Sequence, residues 1–291
     1  MPQITAPTST APPTPQGQQP TVGAHMVALD IDGTLTAERR TDVPTPNADA
    51  VADARRAGHH IVLASGRSLA GVLPIAEALG LDYGWATASN GAVTARLDPA
   101  LPDGHIVEDG DMLLVDVADV TMVALQLRLP DLAIAVEHVG VGYYTNRPFP
   151  PGLLRGTATE VPMAMLETFD SPRVVLRARG VHALMEPLRA VGGLTVTEST
   201  EPDWIDVTPG NVSKATALET VRQRLGVGAA NTLAIGDGIN DIEALTWAAR
   251  GVAMGHAPLQ VREAANEITG TLGQHGVAAV LRTLPTVTTT R

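Results

Sequence analysis

From Val22 onward, short apolar runs that break off at a polar residue or glycine alternate with longer segments of helical period, and this alternation constrains the chain more than any other feature. A strand buried on both faces reads as a continuous apolar run, while the helices that cover it are amphipathic, so the pattern predicts βα units on a parallel sheet. The predicted strands of this α/β unit are residues 26–31, 60–64, 85–88 and 232–235. Helices are predicted over 46–57, which opens with a proline and stops at Gly58, over 68–79, closed by Gly80, and over 213–225 and 239–249. The stretch GVAMG followed by APLQVREAAN repeats the theme once more.

Between residues 92 and 207 the organisation changes. The runs HIV, LLVDV, AIAVEHVGVGYY, RVVLRA and LTVTE read as strands, interleaved with helical candidates at 117–129 and 181–190. This predicts a second α/β layer inserted into the first unit, which is then built from residues 23–91 and 208–284. The first 22 residues hold six Pro, five Thr and four Gln with no charged side chain, and are expected to form a disordered tail; residues 285–291 form a second tail.

Composition narrows the possible partners. With 20 basic against 31 acidic residues the net charge is −11, and so acidic a surface repels a phosphate backbone, which argues against nucleic acid. No cysteine is present, so disulfides, thiolate catalysis and cysteine-bound zinc or iron–sulfur clusters are excluded. The N-terminus lacks the basic start and apolar stretch of a signal peptide, and no run approaches the roughly 18 apolar residues of a membrane span. A cytoplasmic protein without a membrane partner, monomer or homodimer, is expected.

In an open parallel sheet, reactive groups gather beyond the carboxyl ends of the strands, where several loops share one crevice. Four such ends carry unusual chemistry here. In VALDIDGTLT, Asp30 and Asp32 leave an apolar strand together, poised as nucleophile and acid–base partner. In IVLASGR, Ser65 with Gly66 and Arg67 offers a hydroxyl and backbone N–H groups to a phosphate oxygen. In PGNVSKATAL, Lys214 falls in the first turn of a predicted helix, next to its positive end, and so wants an anion. In TLAIGDGIND, Asp237 and Asp241 follow a strand, and carboxylates packed together stay ionised only around a cation, for which magnesium is the natural choice. Singly, each has an ordinary reading as a solvated strand end, a loop turn or a surface lysine. Jointly they supply a nucleophile, an acid–base partner, two phosphate holders and a metal site.

The set DIDGTLT, LASGR, SK at a helix start and GDGIND resembles the four motifs of the haloacid-dehalogenase (HAD) superfamily. The segment ASNGA around Asn90, the insertion before Lys214 and the ending GVAMGHAPLQVREAAN are similar to the Cof-type phosphatases, and the resemblance covers about residues 24–284. It implies a Rossmann-like core with the inserted layer, residues 92–207, as an α/β cap. It further implies hydrolysis of phosphate monoesters of a small phosphorylated metabolite, with a sugar phosphate foremost. Asp30 would become an aspartyl phosphate, while Asp32 protonates the leaving oxygen and later activates water. Ser65 and Lys214 would hold phosphoryl oxygens, with Gly66, Arg67, Asn90 and Asn240 at substrate or phosphate. Mg2+ would be bound by Asp30, the backbone carbonyl of Asp32 and Asp237, with Asp241 in support through water or a lysine contact.

His256 and Ala215 depart from the residues usual in the family, at positions expected to lie away from the chemistry. In the cap, Tyr143 and Tyr144 are expected to pack on its core, and Glu137, His138 and Arg147 to be solvated rather than turned to substrate. Two rivals stand beside this reading: a phosphomannomutase-like phosphotransferase of the same superfamily, and a catalytically silent phosphometabolite-binding protein, which predicts a damaged motif where all the named side chains are present.

Overall fold

The computed structural model describes residues 23–287 apart from Asp109 and Thr200, so the tail predicted at residues 1–22 lies outside the described residues. In chain order the first elements are β1 (Met26–Leu29), α1 (Thr45–Arg56), β2 (His60–Ala64), α2 (Leu69–Ala78), β3 (Gly84–Ala88), β4 (Val93–Leu97) and β5 (His105–Ile106). There follow β6 (Val115–Asp116), α3 (Val117–Gln126), β7 (Ala133–His138), β8 (Gly142–Thr145), β9 (Thr157–Glu160) and α4 (Met163–Leu166). Next come β10 (Asp170–Ser171), β11 (Val174–Arg177), α5 (Met185–Val191), β12 (Leu194–Glu198) and β13 (Trp204–Pro209). The last are α6 (Lys214–Leu225), β14 (Thr232–Gly236), α7 (Ile242–Trp247), β15 (Arg250–Ala253), α8 (Leu259–Ala264), β16 (Glu267–Ile268) and α9 (Gly276–Leu281).

The main sheet has the order β16-β15-β14-β1-β2-β3-β4-β5. From β16 to β3 it is parallel, and it is covered on both faces as the apolar strand sequences require. Val27, Leu29 and Leu63 bury one face against α1, α2 and α9, while Met26, Ala28 and Val62 bury the other against α6, α7 and α8. Each fully buried aliphatic side chain of this kind contributes about 1.5–3 kcal/mol.

Two expectations need correction. The chain does not leave the main sheet at residue 92: β4 turns back antiparallel on β3, and β5 on β4, so residues 93–97 and 105–106 extend the core sheet rather than the cap. The single run AIAVEHVGVGYY is also a hairpin, β7 and β8, because Gly140 at φ 75 reverses the chain between them. The helices predicted at 181–190 and 239–249 both begin as a 3-10 turn, at Val181–Leu184 and Ile239–Asp241.

The inserted layer is a six-stranded sheet of order β12-β13-β11-β7-β8-β9. Alternation splits its strands cleanly: Ile134, Val136, Val174, Leu176, Ile205 and Val207 pack under α3 and α5, whereas Ala135, Tyr143, Val175 and Trp204 face the other way, under Phe149, Leu153 and Leu154. Tyr143 and Tyr144 thus pack on opposite faces, Tyr144 stacking on Phe169.

At the far end of the core, His59 holds both ends of the described chain. Its Nδ1 accepts from the backbone N–H of His25 and its Nε2 donates to the carbonyl of Pro285, so residue 285 is still attached to the core. Among the described residues, no helix is long and apolar enough to cross a membrane.

Candidate active site

Register brings the reactive groups together. Leu29 lies level with Leu63 on one side and Ile235 on the other, so Asp30, Ser65 and Asp237 emerge from three adjacent strands at the same edge. The backbone N–H of Asp30 extends the ladder one step, donating to the Ile235 carbonyl at 3.0 Å.

Lys214 reaches that edge from the first turn of α6, whose Ser213 N-cap closes a capping box with Thr216. The side chain is about 1% exposed, and its Nζ donates to Asp30 Oδ1 and to Asp241 Oδ1, each at 2.6 Å. Burial works against the ammonium, yet the charges of Asp241 and Asp30 hold its pKa above the ordinary lysine value.

Asp30, Asp237 and Asp241 each present a carboxylate oxygen, all lying within 4.8 Å of one another. Burial, then the charge of Asp241, pushes the Asp30 carboxyl well above the usual range, with Lys214 opposing. Asp237 is pushed up to about 6 by burial, against a hydrogen bond from Thr34 Oγ1 at 2.8 Å. Three carboxylates against one ammonium leave an excess of two negative charges, and that excess suits a divalent cation with oxygen ligands. Asp241 has little left to offer a metal, since its Oδ2 accepts from the backbone N–H groups of Asp237 and Gly238 at 3.0 and 2.8 Å. Asp30 and Asp237 are the carboxylates freer to hold one.

Two glycines make this crowding sterically feasible. A Cβ on Gly33, which sits at φ +80, would lie 2.1 Å from Asp237 Oδ2, and one on Gly236 would lie 2.4 Å from Asp241 Cγ. Both are places where backbone approaches a carboxylate too closely for any side chain.

Asp32 lies outside the three-carboxylate cluster. Its carboxylate receives both Nε and Nη2 of Arg67 at 2.7 Å and the backbone N–H of Arg39 at 2.8 Å. Burial raises its pKa, but the Arg67 hydrogen bonds and charge prevail and lower it. Arg67, read from the sequence as a phosphate holder, is therefore engaged with Asp32, because the two side chains leave neighbouring strand ends. Ser65 accepts the backbone N–H of Arg67 on its hydroxyl at 3.1 Å, and Gly66 lies under a hydrogen bond of 2.8 Å from Asn240 Nδ2 to Asn90 Oδ1.

Three residues near the site were not expected there from the sequence. Thr34, in the DIDGT turn, orients Asp237. His256 stands with Nε2 3.6 Å from Asp237 Oδ2, correcting the expectation that it lies away from the chemistry. Glu137, expected to be solvated, is 4% exposed and bonded to the core, since its strand turns that face inward. His138 and Arg147 stay near the surface, stacked on Tyr144 and paired with Asp131 respectively.

Known proteins share this architecture. A family model described as haloacid dehalogenase-like hydrolase matches residues 27–172 and 183–281. Phosphoglycolate phosphatase of Natronomonas pharaonis is 30% identical over 84% of this chain and 90% of its own. The 5-amino-6-(5-phospho-D-ribitylamino)uracil phosphatase YcsE of Bacillus subtilis is 27% identical over 91% of this chain and 97% of its own. Among solved structures, the HAD-superfamily phosphatase BT1666 from Bacteroides thetaiotaomicron superposes with TM-score 0.71 at 27% identity, covering 94% of this chain and 98% of its own. TM0651 from Thermotoga maritima, at 21% identity over 90% of this chain and 98% of its own, shares the fold with TM-score 0.73. With its core, its cluster of carboxylates and these relatives in view, the chain belongs to the haloacid dehalogenase-like hydrolases, as a phosphatase of the Cof type.

Proposed function

We propose that the protein is a magnesium-dependent phosphatase that hydrolyses phosphate monoesters of small metabolites in the cytoplasm, by way of an aspartyl phosphate on Asp30. The observation that carries this reading is the meeting of Asp30, Asp237 and Asp241 within 4.8 Å, with Lys214 bonded to two of them. Asp30, Asp237 and the backbone carbonyl of Asp32 would hold Mg2+, which when bound offsets the charge of the carboxylates and of the phosphoryl oxygens.

In the first half-reaction an Asp30 oxygen attacks phosphorus, the bond from phosphorus to the ester oxygen breaks, and Asp32 gives its proton to the departing alcohol. In the second, Asp32 takes a proton from water, whose oxygen attacks phosphorus and releases inorganic phosphate and free Asp30. Lys214 favours the ionised, attacking form of Asp30 against the effect of burial and orients it, and little more than positioning and charge neutralisation is required of the protein. Arg67 favours the ionised form of Asp32, which suits the second half. To carry a proton in the first half, Asp32 must part from Arg67, and an incoming phosphate is an anion able to compete for that guanidinium.

The substrate is proposed to be a sugar phosphate or a related phosphorylated polyol. The ribityl phosphate named for the Bacillus relative supports this class, while the phosphoglycolate of the Natronomonas relative and the pyridoxal phosphate of an Escherichia coli relative, YbhA, share only the phosphate with it. The test is phosphate release by purified protein from a panel of sugar phosphates, nucleotides and flavin-pathway phosphates, with and without magnesium. Release that needs magnesium and vanishes in Asp30→Asn is expected; release unchanged in Asp30→Asn would overturn the mechanism.

A further inference from the structure

One buried carboxylate at this site has no part in the chemistry above. Glu137 belongs to β7, on the sheet face away from α3 and α5, and is 4% exposed. Both of its oxygens are committed to the core: Oε1 accepts from the backbone N–H of Leu69 at 3.1 Å and Oε2 from the hydroxyl of Ser89 at 2.5 Å. Its own carbonyl accepts from Ser171 Oγ at 3.1 Å, which fixes β7 behind it.

What Glu137 grips is the frame of the phosphate loop. Leu69 opens α2 two residues after Arg67, and that helix has no capping side chain of its own. Ser89 begins a turn in which three successive residues, Ser89, Asn90 and Gly91, have φ of 50, 56 and 98. Non-glycine residues in that region cost about 1–3 kcal/mol each and persist only where the surroundings hold them. This turn clasps the loop directly. The N–H of Ser89 donates to the Arg67 carbonyl at 2.7 Å and that of Asn90 to the Ser65 carbonyl at 3.0 Å. Asn90 Oδ1 stands 3.0 Å from where a Gly66 Cβ would be. The left-handed turn therefore sets the shape of residues 65–67, and a cap side chain holds the turn.

We propose that Glu137 is a positioning residue for phosphate capture: through Ser89 and the first turn of α2, the docked cap sets the conformation of the loop Ser65, Gly66 and Arg67. This deepens the proposed function and rests on it. Cap docking and phosphate affinity are thereby one coupled event, since a core without Glu137 loses the bonds that stabilise its strained turn.

The test uses the full chain with Glu137→Ala, Glu137→Gln and Ser89→Ala. Binding of inorganic phosphate in the presence of magnesium is measured by calorimetry, turnover of p-nitrophenyl phosphate by steady-state kinetics, and amide exchange at residues 65–69 and 89–90 by mass spectrometry. Phosphate affinity is expected to fall about tenfold in Glu137→Ala, because small misplacements of a positioned group are costly. Ser89→Ala should show a smaller loss, Glu137→Gln should recover most of it, and KM should rise more than kcat falls. Wild-type phosphate affinity in Glu137→Ala and Ser89→Ala, with only the melting temperature lowered, would reduce Glu137 to a structural contact and overturn the proposal. Should Glu137→Ala not fold, Ser89→Ala decides by the same measure. If the wild-type protein neither binds phosphate nor releases it, the phosphatase reading fails separately, and unchanged exchange at those amides in the variants would still refute the clasp.

Discussion

Lys214 Nζ stands 2.6 Å from Asp30 Oδ1, a pairing across 184 residues of sequence that places the only ammonium of the site against its proposed nucleophile. Removing it leaves two buried carboxylates and one half-buried one facing each other. Lys214→Ala is expected to lower stability by about 3–5 kcal/mol, the usual cost of stripping one partner from a buried ion pair. Phosphate release should fall about 10²–10³-fold. Urea unfolding and steady-state kinetics measure the two effects, and Lys214→Arg should restore neither, because a slot that leaves 1% of the lysine exposed has no room for a guanidinium.

Asp30→Asn separates stability from chemistry. The substitution removes one charge from a crowd of like charges while Asp241 continues to hold Lys214. Phosphate release is expected to drop to background while the urea midpoint, measured without divalent cation, stays level or rises.

The Asp237 carboxyl, pushed up to about 6 by burial, ties metal affinity to pH. Above that value it is ionised and free to coordinate; below it, a proton competes with the metal. Magnesium affinity should therefore weaken by about tenfold per pH unit below pH 6. Calorimetry at pH 5, 6 and 7 would show it, and proton uptake by the protein on chelation at pH 6 is the matching observation.

Gly33→Ala tests how closely the backbone and the proposed metal ligand Asp237 approach. At φ +80 the new methyl would be strained, and it would overlap Asp237 Oδ2. Loss of magnesium-dependent phosphate release with the circular dichroism spectrum preserved is expected, whereas Gly228→Ala, where a Cβ meets nothing within 4 Å, should behave as wild type.

His59 gives stability a pH dependence far from the site. Burial lowers its pKa in the folded protein, so the unfolded chain binds the proton more readily. The stabilisation is whole above the unfolded value of about 6.5 and is lost as pH falls below it toward the folded one. Thermal unfolding should show a decline between pH 7 and 5 that is shallower in His59→Gln.

The main sheet was legible wherever a strand is apolar on both faces: the run His60–Ala64 ends where the alternation of the sequence says it should. The antiparallel pair β3 and β4 was not, because VTARL is short and mixed, and the turn at Ser89–Gly91 that folds it back on β3 carries no apolar pattern. The candidate site was legible as motifs, since each carries its reactive residues within a few positions. The Asp32–Arg67 ion pair, the approach of His256 to Asp237 and the burial of Glu137 were not. Each depends on partners 19 or more residues away, and such a pairing leaves no periodic trace in a single chain.

The parallel pairing of β1 with β14 joins residues 26–29 to 232–235, so the central strand waits for a neighbour made some 200 residues later. On a ribosome, the proposed nucleophile is synthesised early and its ammonium and clustered acidic partners last. The nascent chain therefore carries Asp30 through most of its synthesis without Lys214, Asp237 and Asp241, and the cluster is assembled only when the final third closes the sheet.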